Sequence, residues 1–271
     1  MKRILPLFLL FLLLPFSACS SPKQMGAPKL TVTFLSVGKA DCILLESNTH
    51  AALIDTGKNK NGDDILSLLS EKGISSLDFL LLTHMDKDHI GGADTVLTGI
   101  PVGTVYAPAY IKDSKQFTQY AEALASSGLT PTSPSEPLSL SFGSCEIDIL
   151  PPSLPSYDQS NDYSILLRLT CGKISFLFTG DAEDVRLNEY LSASPDPMTV
   201  LKIPHHGNLC DTSRFFLTTV TPKVAVITDS DKDPADPELL SLLQSLKITT
   251  YETKSGTVTI QTDGNSYTIT Q

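Results

Sequence analysis

An apolar run that ends in a cluster of imidazoles and carboxylates constrains this chain more than any other feature. Leu80, Leu81 and Leu82 have the character of a buried strand and lead straight into Thr83-His84-Met85-Asp86-Lys87-Asp88-His89. Four residues able to bind a metal, His84, Asp86, Asp88 and His89, fall within six positions. Two imidazoles beside two carboxylates suit a borderline or hard divalent cation better than a soft one. A strand alternates its side chains, whereas a turn entering a helix fans them out. With the bend just after Thr83, His84 and Asp86 can serve one cation while Asp88 and His89 serve its neighbour. Two cations about 3.5–4 Å apart can brace both oxygens of a hydrolytic displacement. Gly91-Gly92 would let backbone approach this cluster closely. A polar turn that merely contains histidines is the plain alternative. With only five His in 271 residues, two beside two aspartates make it a poor account.

The N-terminus sets the compartment. Lys2 and Arg3 precede an apolar run from Ile4 to Phe16 and then Ser17-Ala18-Cys19-Ser20, the layout of a signal peptide over residues 1–18. The run is too short for an ordinary spanning helix. Ala18-Cys19 resembles the bacterial lipoprotein signal, in which the cysteine is lipidated, although Phe16 stands where leucine is usual. A plain secreted protein cleaved near Ala18 is the alternative, and both place the mature chain outside the cytoplasm. Residues 19–29, with Ser21-Pro22, Gly26 and Pro28, form a tether without periodicity. Without Lys2 and Arg3, 18 basic residues face 30 acidic ones, so a strongly basic nucleic-acid module is not indicated, though a local basic channel is compatible. Cys42, Cys145, Cys171 and Cys210 contain no CxxC pair; disulfides can form, but buried thiols are the simpler reading for three of them.

Residues 30–271 are long enough for one large layered domain or two small ones. Strands are expected at 30–35, 42–46, 51–54, 77–82, 102–107, 138–142, 145–150, 165–169, 173–178, 198–203 and 223–228, with a closing hairpin at 258–260 and 267–269. Helices are expected at 63–72, at 114–127 with Phe117, Tyr120, Ala121 and Leu124 on one side, at 184–191 and at 237–246, while 213–219 is helical or irregular. The second half repeats the plan of the first without repeating its letters. Two mixed sheets packed face to face, with helices outside, explain this order better than a dinucleotide-binding sheet, whose glycine-rich phosphate loop is absent.

Further polar groups fall where apolar strands stop. Asp181 closes FLFTGD, and its two oxygens could bridge both cations. Asp55, in ALIDTG, could accept a ring N–H of a ligating histidine and fix its orientation. Ordinary turn chemistry is the alternative for each. His205-His206 follows LKIP; adjacent residues on an extended segment point opposite ways, so one reaches the metals, and His206 is preferred. His205 is left to orient substrate, carry a proton or serve a structural role. His50 is a surface turn residue. Asn161 or Ser164 could bond a phosphate oxygen or steer a water, or simply form a strand-entry turn.

Together these pieces resemble a metallo-β-lactamase-fold hydrolase. Its His-x-His-x-Asp-His motif stands here as His84-x-Asp86-x-Asp88-His89, with aspartate for the second histidine. Within that superfamily the chain is similar to the catalytic domain of ComEC-type competence proteins and their stand-alone relatives, through residues 36–41, THMDKDHIGG, NDYS, FLFTGD and LKIPHHGN. The resemblance implies an α/β fold, a single-domain four-layer αββα sandwich with a dinuclear metal site between the sheets. His84, Asp86, Asp88, His89, Asp181 and His206 inherit ligand roles, Asp55 a supporting one, and Asp41 a place near the site. The usual intervening histidine is missing, with NDYS in its place. Zinc is the superfamily default, and the oxygen-rich donor set shifts the preference towards manganese, so two Mn2+ or Zn2+ ions are expected. Two departures stand out: Gly38-Lys39-Ala40 for Gly-Gln-Gly, and Ala235-Asp236-Pro237 for Gly-His-Pro.

The resulting expectation is a monomeric phosphodiester hydrolase, anchored to the membrane through Cys19, acting on extracellular DNA. Asp181 would position the metals and His205 would assist the leaving oxygen. With no bundle of spanning segments, the chain is not expected to be an import channel. A phosphorylcholine or other envelope-diester esterase is the nearest alternative; a lactamase, a lactonase or a non-catalytic surface protein lies further off. A basic track using Lys39, Lys202 or Arg214 would favour a nucleic acid, and a closed aromatic pocket around Tyr157 or Tyr163 would favour a choline headgroup.

Overall fold

Strands apolar on both faces must be covered on both faces, and that requirement organises the chain. The structure, a computed structural model, describes Met1, Gly26, Ala27 and residues 29–271. The remainder of the expected leader, Cys19 and the tether as far as Met25 lie outside the described residues.

The first sheet contains β1 (Leu30–Phe34), β2 (Ile43–Ser47), β3 (His50–Ile54), β4 (Leu77–Leu81) and β5 (Val102–Tyr106), with β13 (Val258–Thr262) and β14 (Tyr267–Thr270) added at the far side of β1. The second contains β6 (Leu138–Phe142), β7 (Cys145–Leu150), β8 (Leu166–Cys171), β9 (Ile174–Phe178), β10 (Val200–Lys202), β11 (Val224–Ile227) and β12 (Thr249–Glu252). Helices α1 (Gly62–Glu71), α2 (Ala93–Gly99) and α3 (Lys115–Ser126) cover the outer face of the first sheet; α4 (Asp184–Ser192), α5 (Ser213–Val220) and α6 (Pro237–Ser245) cover the second. The result is the four-layer αββα sandwich.

Period-two alternation sorts the side chains. Phe79 and Leu81 of β4 point into the core between the sheets, while Leu80 and Leu82 pack under the helices with Ile65, Val96 and Tyr120. Phe176 and Phe178 of β9 face the same inter-sheet core, and Leu177 packs against Leu187, Phe216 and Leu239. Each such side chain, fully buried, contributes roughly 1.5–3 kcal/mol. Cys42, Cys145 and Cys171 are buried free thiols, and Cys210 is a half-buried one.

Both sheets change from antiparallel to parallel pairing part-way across. β3, β4 and β5 run parallel, as do β9, β10, β11 and β12. Parallel strands deliver all their C-terminal ends to one edge, where the loops that follow them gather.

Several elements depart from expectation. The second helix, α2, was not anticipated, because ADTVLTG is short and carries two threonines and a glycine. Strand β12 (TTYE) lacks an apolar alternation and is held as a parallel edge strand by β11. On α3 the buried small residue is Ala123, and Ala121 is exposed. Residues 213–219 are helical, within α5.

Gly91 fixes the loop that carries the polar cluster. A Cβ there would lie 2.5 Å from both the Asn59 amide nitrogen and the Lys87 carbonyl oxygen. Gly91→Ala is therefore expected to cost roughly 1–3 kcal/mol or more, read as a lowered urea midpoint. An unchanged midpoint would show that the loop yields.

Candidate metal centre

The gathered loops bring side chains from distant parts of the chain to one buried spot. His84 and His89 follow β4, Asp55 follows β3, Asp41 precedes β2, and Asp181 and His206 follow β9 and β10. His84, His89, His206, Asp41, Asp55 and Asp181 are all buried.

Each histidine is held from behind by an oxygen on its Nδ1. His89 Nδ1 lies 2.8 Å from Asp55 Oδ2. His206 Nδ1 lies 2.9 Å from the carbonyl oxygen of Thr228. His84 Nδ1 lies 3.1 Å from Thr83 Oγ1, whose own hydroxyl donates to Asp55 Oδ2 at 2.7 Å. With Nδ1–H donating, the Nε2 lone pair of each ring points forward into the site. The Nε2 atoms of His84, His89 and His206 are buried, and none has a hydrogen-bond partner. Buried imidazole nitrogens without a hydrogen bond are costly unless something binds them, and the nearest approach to those of His89 and His206 is an ion-pair contact from Asp181.

Carboxylates complete the donor set. Asp181 Oδ2 lies 3.2 Å from His89 Nε2 and 3.1 Å from His206 Nε2. Asp88 Oδ2 is 3.8 Å from His206 Nε2, and Asp86 Oδ1 is 3.8 Å from His84 Nε2. Donor atoms of His84, His89 and Asp181 lie within 4.8 Å of one another, as do those of Asp88, His89 and His206. These two groups overlap at His89, whose single free Nε2 can serve only one cation, so a second would fall to His84, Asp181 and Asp86.

The charges are poised for cations. Burial and the neighbouring His89 depress His84 to about 3, which leaves its nitrogen free to bind. Burial opposes ionisation of Asp181, but His206, His89 and Lys202 outweigh it and keep it well below the usual carboxylate range. Burial opposes protonation of His89, yet Asp181 and Asp55 raise it well above the ordinary histidine value, so a cation binding at its Nε2 would displace a proton.

The chain's relationships agree with this geometry. Residues 35–227 match the model of the metallo-beta-lactamase superfamily. The chain belongs to that superfamily. It is 29% identical over 217 residues to Recombination protein 2 of Haemophilus influenzae, covering 78% of this chain and 26% of that protein. It is 28% identical over 199 residues to ComE operon protein 3 of Bacillus subtilis, covering 72% of this chain and 26% of that one. The chain thus spans about a quarter of the length of these relatives. Among solved structures it matches the metallo-beta-lactamase fold protein YhfI from Bacillus subtilis, with a TM-score of 0.57 at 12% identity, over 82% of this chain and 95% of that one.

Against the superfamily's donor pattern, His84, Asp88, His89, Asp181 and His206 come together, while Asp86 sits at the rim and pairs with Lys112. Asp55 lies behind His89, in a left-handed conformation with φ of 58°. Asp41 accepts the Thr228 hydroxyl at 2.6 Å and ties that anchor of His206 to the first sheet. Ser164 accepts the backbone N–H of Asp181 at 3.2 Å. Asn161 donates to Glu183 Oε1 at 3.0 Å and lies 3.4 Å from His205 Nε2. Asp236 accepts the Leu209 amide at 2.7 Å and fastens the loop after His206.

One expectation is corrected here. His205 and His206 lie in a left-handed turn, with φ of 47° and 53°, and not on an extended segment; His206 still points inward, while His205 turns to Glu183, with Nδ1 2.8 Å from Oε1. Lys202 belongs to no surface track, because its side chain is completely buried. Arg214 is exposed on α5 beside Pro237 and Glu238. Tyr163 lies flat on Tyr110 with ring centroids 4.0 Å apart, and Tyr157 stands edge-on at 5.0 Å with its hydroxyl on Glu189, so these rings fill one another's faces. His50 is a surface residue, as expected, paired with Asp78.

Thr83, Thr228, Glu183 and Lys112 escaped the sequence reading. Thr228 ends the apolar strand VAVI, so the signal that revealed Asp181 was present there as well. Glu183 and Lys112 carry no such signal.

Asp55→Asn tests the scaffold behind the donors. Loss of the charged acceptor on His89 Nδ1 is expected to weaken divalent-metal affinity by about 10–100-fold, measured by chelator competition. Unchanged affinity would remove Asp55 from the site.

Proposed function

We propose that this chain is an extracytoplasmic phosphodiesterase that cleaves DNA, lipid-anchored through Cys19. The observation that carries the hydrolase reading is the convergence of three buried Nε2 atoms, on His84, His89 and His206, with Asp181. Asp88, His89, Asp181 and His206 would hold one divalent cation, and His84, Asp181 and Asp86 the other. Mn2+ suits this oxygen-rich set best, with Zn2+ as the competing ion. When bound, such cations supply Lewis acidity at the phosphoryl oxygens.

The chain's own residues supply the rest. Asp55, Thr83 and Thr228 keep the three imidazoles aimed. His205, oriented by Glu183 and 26% exposed, is the group placed to pass a proton to the leaving oxygen. DNA as substrate is supported by two features. The relatives at 29% and 28% identity are named Recombination protein 2 and ComE operon protein 3. In addition, the loops after β1, β3, β4 and β5 each carry a lysine, namely Lys39, Lys58, Lys87 and Lys112, at the edge where the donors gather. Lys39 reaches across to Asn208 Oδ1 at 3.2 Å, on the loop after His206. These lysines offer local positive charge to a polyanion on a chain of net charge −10, with Lys112 already paired to Asp86. Tyr157 and Tyr163, the rings that a choline headgroup would need, are packed on each other and on Tyr110.

A metal-supplemented panel separates the readings: linear DNA, RNA, bis-p-nitrophenyl phosphate, p-nitrophenyl phosphorylcholine and nitrocefin, with His89→Ala as control. DNA cleavage that disappears in the control is the expected result. Cleavage confined to the phosphorylcholine ester would replace DNA with a small diester, and turnover of nitrocefin alone would end the phosphodiester reading. His205→Ala should lower kcat on DNA by roughly 100-fold or more, yet act far less on p-nitrophenyl esters, whose leaving group needs no proton. Equal losses on both would deny His205 that role.

A further inference from the structure

An ammonium group without exposed surface lies directly behind the donors. Lys202 ends β10, and its side chain is 0% exposed. Its Nζ donates to the carbonyl oxygen of Gly180 at 2.9 Å, lies 2.5 Å from Asp41 Oδ2 and 3.5 Å from Asp181 Oδ1. Burial works against this charge, yet Asp41 and Asp181 outweigh it and hold Lys202 above its ordinary range.

Two consequences follow. Asp41, Asp55 and Asp181 place three carboxylates in the interior, and like charges there repel strongly when nothing opposes them. Lys202 is the one lysine buried among them. Asp181 is also divided between two tasks: Oδ1 faces Lys202, while Oδ2 faces the Nε2 atoms of His89 and His206. The expectation that both its oxygens are free for metals therefore changes. Because Asp41 belongs to the first sheet's loops and Lys202 to the second sheet, the pair also fastens the two halves of the site together.

We propose that Lys202 is a permanent internal counter-ion and a positioning residue: it holds the site assembled before metal enters and leaves Asp181 one oxygen, Oδ2, for the metals. The proposal rests on the metal-centre reading above. It means that folding does not wait for metal, unlike sites whose buried acids are tolerated only when loaded. The cost is affinity, since a fixed positive charge beside the donors repels incoming cations.

The test uses the full chain as wild type, Lys202→Met, Asp41→Asn and the double variant, each chelator-treated or supplied with Zn2+ or Mn2+. Chelator-treated Lys202→Met should melt roughly 10 °C below chelator-treated wild type, with most of that gap closed by metal. Its metal affinity, measured by chelator competition, should rise roughly tenfold. The double variant should lose less stability than the two single losses added together. Equal chelator-treated melts would overturn the proposal, as would a gap that metal leaves untouched, which marks a merely structural lysine. Should Lys202→Met fail to fold, a folded double variant supports the counter-ion, and a double variant that also fails overturns it. Absence of metal uptake by wild type would end the metal-centre reading, while the chelator-treated melts and the Lys202–Asp41 coupling would still decide the counter-ion.

Discussion

The site exists because three buried imidazoles are each gripped at Nδ1, so that Nε2 has nowhere to aim but forward. Asp55, Thr83 and Thr228 supply the grip, and each stands within two residues of the end of an apolar strand. A histidine free to rotate would satisfy itself elsewhere, and the donors would not converge. The arrangement is expensive. Asp55, His205 and His206 hold left-handed backbone conformations, which cost roughly 1–3 kcal/mol each in a residue with a Cβ. The inter-sheet core offsets that strain, with rings such as Phe34 and Phe178 packed 6.0 Å apart across it.

The topology explains how donors from distant positions meet. Each sheet has an antiparallel half and a parallel half, and the parallel halves send their C-terminal ends to the same edge. Loops from the first sheet bring His84, Asp88 and His89; loops from the second bring Asp181 and His206. Neither sheet owns a complete set. Stability of the sheet–sheet packing and integrity of the site are therefore one property, and a core substitution far from the donors would be felt by them.

Charge is mixed at the surface and acidic within. The chain is acidic overall; the outer helices hold part of that excess, and in the loops around the donors lysines such as Lys39, Lys58, Lys87 and Lys112 stand beside aspartates such as Asp86, Asp88 and Asp113. Deeper still, among the described residues, Asp41, Asp55 and Asp181 outnumber the one buried lysine, so the centre attracts cations.

Much of this was legible in the letters. The donors His84, Asp88, His89 and Asp181 announce themselves because apolar runs stop at them, and the strands do so because burial on both faces leaves unbroken apolar stretches. The short helix α2 and the polar edge strand β12 lack such periodicity, and only tertiary packing makes them regular. Lys202 stood in the sequence only as one lysine that a basic track could use; its partners, Asp41 and Asp181, come from the loops of other strands and cannot be found by spacing. Asp41 meets Thr228 across 187 positions, and no local pattern encodes that contact. The sequence by itself determined which residue types end which strands, hence the superfamily and the chemical character of the donors. The tertiary structure alone decided which oxygen stands behind each imidazole, which of two adjacent histidines turns inward and where the buried ammonium lies, because those are contacts between segments that only the packing of two sheets brings together.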